Sequence, residues 1–386
     1  MNRKICVVTG TRAEFGLLRL LMQRLDEAQD VELQVLATGM HLSPEFGLTY
    51  REIEQAGFAI DAKVEMLLSA DSATAVTKSM GLGLIGFADA YTRLQPDVII
   101  LLGDRFEIFT AATAALIAGI PIAHLHGGET TEAAFDEALR HSITKMSHLH
   151  FVAAEEYQER VIQLGEHPER VFLVGGLGID VIKQMPLLGR EAIEASLDFK
   201  LGRRNLLVTF HPVTLEAKSS SQQMSELLAA LDLVDDAHIV FTLPNADTGG
   251  RQLIEQVQQF VSTHPNSRAY SSLGHLRYLS YMQFVDAVVG NSSSGLAEAP
   301  SLGVPTVNIG DRQKGRLRAT SVIDCAPDRN AIAAALAKTE DPIFRNQLSN
   351  VINPYGNGGA SERIVDIVRT YQLDGILKKS FYNIGM

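Results

Sequence analysis

The chain has 386 residues, 46% of them apolar and 6% aromatic, with a net charge of −11 and no block of Lys or Arg. That length is long for one core and suits two domains of about 150–200 residues each. The charge excludes a nucleic-acid surface, which needs a basic stripe, but not an anionic small ligand held by a few arginines. The two cysteines, Cys6 and Cys325, lie in apolar runs and read as reduced, buried thiols. The apolar stretch Ile5–Val8 is too short for a secretion signal. No window reaches the ~18 apolar residues of a membrane span. The expectation is a cytoplasmic protein without membrane contact.

In chain order, strand-like runs cover Lys4–Thr9, Glu32–Thr38, Asp97–Gly103, Pro121–His126, Leu149–Ala153 and Val171–Gly175. Several are apolar almost throughout, as strands covered on both faces should be. Helical patterns fill the gaps at Glu14–Ala28, Ser72–Leu94, Phe106–Ala118 and Phe135–Ser147. The second half repeats the rhythm. Its strands are expected at Asn205–Phe210, His238–Leu243, Arg268–Ser271, Ala287–Gly290, Pro305–Ile309 and Ser321–Asp324, and its helices at Gln222–Val234, Gln252–Ser262, Leu276–Phe284 and Asn330–Lys338. Two such series predict an α/β fold of two Rossmann-like, doubly wound domains. The glycine-rich run Val174-Gly175-Gly176-Leu177-Gly178 reads as a hinge or an ordinary strand–helix loop. Taken as the join, it divides the chain into 1–175 and 176–364, with a C-terminal helix over 365–386 returning to the first domain.

Ligands of doubly wound sheets bind beyond the carboxyl ends of the strands, so the residues after each strand carry the chemistry. The first strand runs into Thr9-Gly10-Thr11-Arg12-Ala13-Glu14, where a helix start and Arg12 suit an anion. No G-x-G-x-x-G and no Walker lysine pattern is present, which argues against NAD and ATP. After the third strand come Gly103-Asp104-Arg105, where Asp104 is either a helix N-cap or a catalytic carboxylate. Next, His124-Leu125-His126-Gly127-Gly128-Glu129 places both histidines on one strand face by alternation. Asp136 and Arg140, four residues apart on the next helix, permit a local ion pair. The histidines lack zinc-type spacing, so no metal is expected. In the second half, His211-Pro212 ends one strand, Pro244-Asn245 follows another, and Gly290-Asn291-Ser292-Ser293-Ser294-Gly295 opens a turn suited to a diphosphate. Glu298, one helical turn further, suits two vicinal ribose hydroxyls. Arg312, Lys314 and Arg316 place three cations beyond a later strand.

These segments, taken in order, resemble the hydrolysing UDP-N-acetylglucosamine 2-epimerases of bacterial sialic-acid synthesis. The match includes TGTRAEFG (9–16), TGMHLS (38–43), GDR (103–105), HGGE (126–129), DEALRHSITKMSH (136–148), FHPVT (210–214), PNADTG (244–249), GNSSSG (290–295) and NIGDRQKGR (308–316). The resemblance implies a GT-B-like fold, two Rossmann-like domains facing across a cleft, with no cofactor and a homodimeric or homotetrameric assembly. It implies elimination of UDP from UDP-GlcNAc to a 2-acetamidoglucal, then hydration to N-acetylmannosamine. It assigns Arg12, Arg105, His211, Asn245, Leu273, Ser292, Ser293, Glu298 and Arg312 to UDP. Asp104, Asp136 and Arg140 fall on the sugar side. Several relatives carry I-E-G-G-E where this chain has Leu125-His126-Gly127-Gly128-Glu129, so His126, Glu129 and Asp104 all stand as candidates for the displaced proton-transfer role. The HGGE form does not fix the sugar. UDP-N,N'-diacetylbacillosamine is the alternative substrate, and a glycosyltransferase or a non-catalytic UDP-sugar sensor would use the same frame.

Overall fold

The computed structural model describes residues 2–70, 72–131, 135–213, 220–244 and 250–385. The chain forms two compact units. The first contains residues 1–129, 136–181 and 356–386, and the second contains 130–135 and 182–355.

In the first unit the order is β1 (Arg3–Thr9), α1 (Arg12–Asp26), β2 (Val31–Thr38), α2 (Tyr50–Gln55), β3 (Ala62–Val64), α3 (Ala73–Leu94), β4 (Val98–Leu102), α4 (Phe106–Ile117), β5 (Ile122–Leu125), α5 (Asp136–Met146), β6 (Leu149–Val152), α6 (Glu155–Gln163), β7 (Val171–Leu173) and α7 (Leu177–Gln184). The strands make one sheet in the order β3-β2-β1-β4-β5-β6-β7, every pair parallel. Alternation along each strand feeds two cores. Ile5, Val7, Ile100 and Leu102 pack on one face with α1, while Cys6, Val8, Ile99 and Leu101 pack on the other with α3 and α4. That double burial is why β4 (VIILL) is apolar at every position. Helix starts follow local chemistry: the side chains of Thr11 and Ser72 accept the amides of Glu14 and Ala75, capping α1 and α3.

The second unit runs α8 (Arg190–Leu197), β8 (Arg204–Thr209), α9 (Ser220–Leu231), β9 (Ala237–Thr242), α10 (Gly250–Thr263), β10 (Ser267–Tyr270), α11 (Gly274–Met282), β11 (Ala287–Gly290), α12 (Ser294–Ala297), β12 (Thr306–Ile309), β13 (Val322–Cys325), α13 (Arg329–Lys338) and α14 (Pro342–Gln347). Its sheet, β10-β9-β8-β11-β12-β13, is also wholly parallel. Leu206 and Val208 face one core and Leu207 the other.

Three expectations are corrected. The units divide inside α7, between Val181 and Ile182, and not at Gly175. The glycine run is the β7–α7 turn, and Gly356 approaches Gly175 closely there: a Cβ on Gly356 would lie 3.7 Å from the Gly175 Cα. The terminal helix is α15 (Ala360–Thr370), not 365–386. Its start is held by Asp180, whose carboxylate accepts the amides of Ala360 and Ser361 at 3.0 and 2.6 Å. Beyond Thr370 the chain runs in turns, and Lys379 reaches Glu166 at 2.6 Å. Third, the edge strand β3 was not expected, being only three residues long.

Candidate active site

In the first unit the expected residues gather where β1, β4 and β5 end. Asp104 does not cap α4; the N-cap position is Arg105, and no side chain bonds there. Instead the Asp104 carboxylate accepts a hydrogen bond from Arg140. Arg140 is only 1% exposed. It also donates to the Glu129 carbonyl at 2.9 Å and to the Glu137 carboxylate at 3.2 Å. A buried guanidinium needs such anionic and carbonyl partners, because isolating its charge from water is costly.

The two histidines expected on one face take separate positions. His124, within β5, is fully buried. Its ring nitrogens engage the Gly103 carbonyl at 2.8 Å and the Thr144 hydroxyl at 3.2 Å, and burial pushes its pKa down to about 3. His126 lies one residue past the strand in a left-handed conformation, φ +62°, which ends the alternation. Its Nδ1 is 2.7 Å from Glu129 Oε1. The Leu177 amide points at its Nε2, 3.4 Å away. An amide can only donate, so Nε2 is the acceptor and Nδ1 carries the proton given to Glu129. The imidazole is thus oriented from both sides, by the Glu129 carboxylate at Nδ1 and by the Leu177 amide at Nε2. Asp136 is the first residue of α5, one turn before Arg140.

Beside this network lies a second cluster. Arg12 pairs with Glu52 of α2. Arg105 reaches Glu107 through Nε and Nη2, both at 3.2 Å, and its Nε lies 4.0 Å from Glu14. Glu14 and Glu107 were not anticipated. Acidic residues in a first helical turn are ordinary, and the one available signal was a charge inside the apolar helix FEIFTAATAALI.

In the second unit Asn291, wholly buried, organises the turn after β11. Its side chain bonds the His211 amide at 2.6 Å and carbonyl at 2.9 Å. Its own carbonyl accepts from Arg312 at 3.2 Å and Gln313 at 2.8 Å. Ser292, Ser293, His211 and Arg312 are thereby brought together, with Glu298 closing the short α12. The turn closes tightly because Gly290 adopts φ +131°, where any Cβ would strike the Thr209 carbonyl. Leu273 is 2% exposed and packs into the core, so its side chain is not presented at a surface. Asn245 lies outside the described residues. Among the described residues no cluster of His, Cys, Asp and Glu could hold a metal, and no helix is long and apolar enough to cross a membrane.

Residues 23–369 match the sequence family described as UDP-N-acetylglucosamine 2-epimerase. The chain is similar to the GDP/UDP-N,N'-diacetylbacillosamine 2-epimerase (hydrolyzing) of Campylobacter jejuni, 43% identical over 99% of this chain and 100% of that one. It is also similar to the polysialic acid biosynthesis protein P7 of Escherichia coli, 40% identical over 96% and 94% of the two chains. In fold it resembles the crystal structure of UDP-GlcNAc 2-epimerase from Neisseria meningitidis bound to UDP-GlcNAc, with a TM-score of 0.80, 18% identity and coverage of 95% and 99%. That likeness bears out the expected pair of doubly wound, GT-B-like domains. The strand-end carboxylates, the oriented imidazole and the Asn291 turn thus lie in an enzyme that belongs to the UDP-N-acetylglucosamine 2-epimerase family.

Proposed function

We propose that this enzyme is a hydrolysing 2-epimerase that releases UDP from a UDP-linked 2-acetamido sugar and returns the free sugar with inverted C2. The observation that carries the reading is the network Asp104–Arg140–Glu129–His126. The C2 proton of such a sugar is not beside a carbonyl and is barely acidic. Its removal has to be coupled to departure of UDP, leaving a C1–C2 double bond in a glucal. Water then adds across that bond, oxygen to C1 and proton to C2 from the opposite face. His126 Nε2, with Nδ1–H held by Glu129, is the base we assign, and it acts once substrate takes the place of the Leu177 amide at that lone pair. Asp104 and Asp136 stabilise the positive charge that develops at C1, and Arg140 fixes Asp104. A positioned base contributes about 10²–10⁴-fold. The second unit holds UDP. Ser292, Ser293 and Arg312 serve the diphosphate together with Arg12, Arg105 and His211, Glu298 serves the ribose, and Asn245 completes the nucleotide set, whereas Leu273, its side chain in the core, has only its backbone to offer. No cofactor takes part.

For the sugar, the 43% identical relative named for GDP/UDP-N,N'-diacetylbacillosamine favours a UDP-2,4-diacetamido-trideoxy sugar. The 40% identical polysialic acid protein favours UDP-GlcNAc, with N-acetylmannosamine for sialic acid as product. The test is turnover of both nucleotides in D₂O, followed by NMR. The expected outcome is free UDP and a free sugar carrying deuterium at C2, with the larger kcat/KM naming the substrate. Accumulation of an epimerised UDP-sugar without free UDP overturns the hydrolysing reading. Transfer to an acceptor would make the chain a glycosyltransferase. Asp104→Asn is expected to keep UDP binding and lose turnover, and unchanged turnover removes Asp104 from the mechanism.

A further inference from the structure

The cluster around Arg105 holds two carboxylates against one guanidinium. Glu14 uses Oε2 to accept the Gly10 amide at 2.8 Å, while its own amide donates to Thr11 Oγ1 at 3.2 Å. This resembles a capping box with the carboxylate shifted to the amide before the N-cap Thr11, and it accounts for one oxygen. The other, Oε1, is buried without a hydrogen-bond partner among the described residues and lies 4.0 Å from Arg105 Nε. Glu107 is fully buried. Two glycine backbones close over the pair. A Cβ on Gly39, at φ +57°, would come 2.9 Å from Glu107 Cγ, and one on Gly10 would come 3.5 Å from Glu14 Oε2.

With all three groups ionised, two carboxylates share the Arg105 guanidinium out of water. Burial, then the charge of Glu107, raise the Glu14 carboxyl to about 7, against the pull of Arg105. Among the described residues, the charged and titratable groups around Glu14 have partners of their own. Arg12, on the same helix, is paired with Glu52. His41, in the turn after β2, is held between the Thr9 and Thr49 hydroxyls, and burial lowers its pKa to about 4. Asp104 is bonded to Arg140.

We propose that Glu14 is a positioning residue for Arg105 and takes up a proton, on Oε1, when the diphosphate of the nucleotide engages that arginine. The proposal rests on the assignment of Arg105 to UDP. An ionised Glu14, its Oε1 turned to Arg105 at 4.0 Å, competes with an arriving diphosphate for that guanidinium. Protonation leaves Arg105 shared between Glu107 and the ligand. Proton and nucleotide therefore bind cooperatively, and each strengthens the other by the same factor.

The experiment is titration calorimetry of the full chain with UDP at pH 6.5, 7.5 and 8.5, in buffers of differing ionisation enthalpy. UDP's own terminal phosphate titrates near pH 6 and is essentially ionised at the two upper values. The expected result is uptake of about half a proton or more at pH 7.5 and 8.5, with Kd rising about five- to tenfold from pH 6.5 to 8.5. Glu14→Gln keeps an oxygen for the Gly10 amide, abolishes the uptake and flattens the profile. In turnover it changes the pH dependence of KM and not that of kcat. Glu107→Gln, which removes the neighbouring like charge, moves the break to lower pH. Wild-type binding without proton uptake overturns the proposal, as does uptake that persists in Glu14→Gln. Absence of UDP binding at every pH overturns instead the nucleotide assignment on which it rests.

Discussion

Asp180 offers a direct test of how the C-terminal segment is held to the first unit. Its carboxylate is 0% exposed and accepts two amides at the start of α15, at 3.0 Å from Ala360 and 2.6 Å from Ser361. Both donors are buried, and the residue before them, Gly359, has no side chain to cap the helix. Asp180→Ala removes two charge-assisted hydrogen bonds of about 1.5–3 kcal/mol each and leaves both amides without their acceptor. A charge favourable to the helix dipole, worth about 0.5 kcal/mol, goes with it. Allowing for non-additivity, the expected loss is about 3–5 kcal/mol, or on the order of 10 °C in Tm for a unit of this size. Asp180→Asn keeps one acceptor oxygen and turns an NH₂ toward the second amide, so about half the loss remains. Hydrogen exchange followed by mass spectrometry reads the effect locally: in Asp180→Ala, peptides covering 356–372 should exchange far faster than those from β1 and β4. A loss below about 1 kcal/mol, or protection of α15 unchanged against the rest of the sheet, would refute this account of how α15 is anchored.

Gly290→Ala is expected to cost more than about 3 kcal/mol or to prevent folding of the second unit, since φ +131° and the Thr209 carbonyl leave no place for a Cβ; near-normal denaturant midpoints would contradict it. Glu166 gives a pH prediction. Burial alone would raise its pKa, but His150, Lys145 and Lys379 hold it down to about 2, so its stabilisation is present above its ordinary value of 4.5 and lost as pH falls toward 2. Thermal melts of wild type and Glu166→Gln should differ at pH 6 and draw together as pH falls through about 2. His126→Asn should preserve the fold to within about 1 kcal/mol, because Asn tolerates the left-handed backbone at φ +62°, while kcat falls about 10²-fold or more; retained turnover would exclude the imidazole as base. His126→Val, β-branched at the same φ, should unfold the first unit at lower temperature than His126→Asn.

Much of the fold was legible because parallel strands buried on both faces must be apolar throughout. Val98–Leu102 and Asn205–Phe210 announce themselves that way, and Ser72 marks the start of α3 as an N-cap should. The three-residue strand β3 has too little pattern to stand out. The site was legible as positions and not as partnerships. Asp104 reads as a helix cap or as a catalytic carboxylate, and the structure removes only the cap, since its carboxylate goes to Arg140, 36 residues away. Alternation put His124 and His126 on one face because a positive φ at His126 leaves no trace in residue type. Glu14 and Glu107 each look like common helix-start acids. Their convergence on Arg105 joins α1 to α4, a tertiary fact no local pattern encodes.

That convergence determines which substitutions report on chemistry. Asp104 and Arg105 are consecutive at the end of β4, yet they serve opposite networks. Asp104 balances a buried arginine, and Arg105 balances two buried carboxylates. Breaking a buried pair costs chiefly through the charge left behind. With Asp104 changed to Asn, Arg140 keeps Glu137 and the Glu129 carbonyl. With Arg105 changed to Ala, Glu14 and Glu107, both buried, lose the guanidinium they share. Loss of activity in Asp104→Asn therefore speaks to catalysis, whereas loss in Arg105→Ala speaks first to folding. Only a double change, Arg105→Ala with Glu14→Gln, relieves enough charge to show what the guanidinium contributes to the nucleotide.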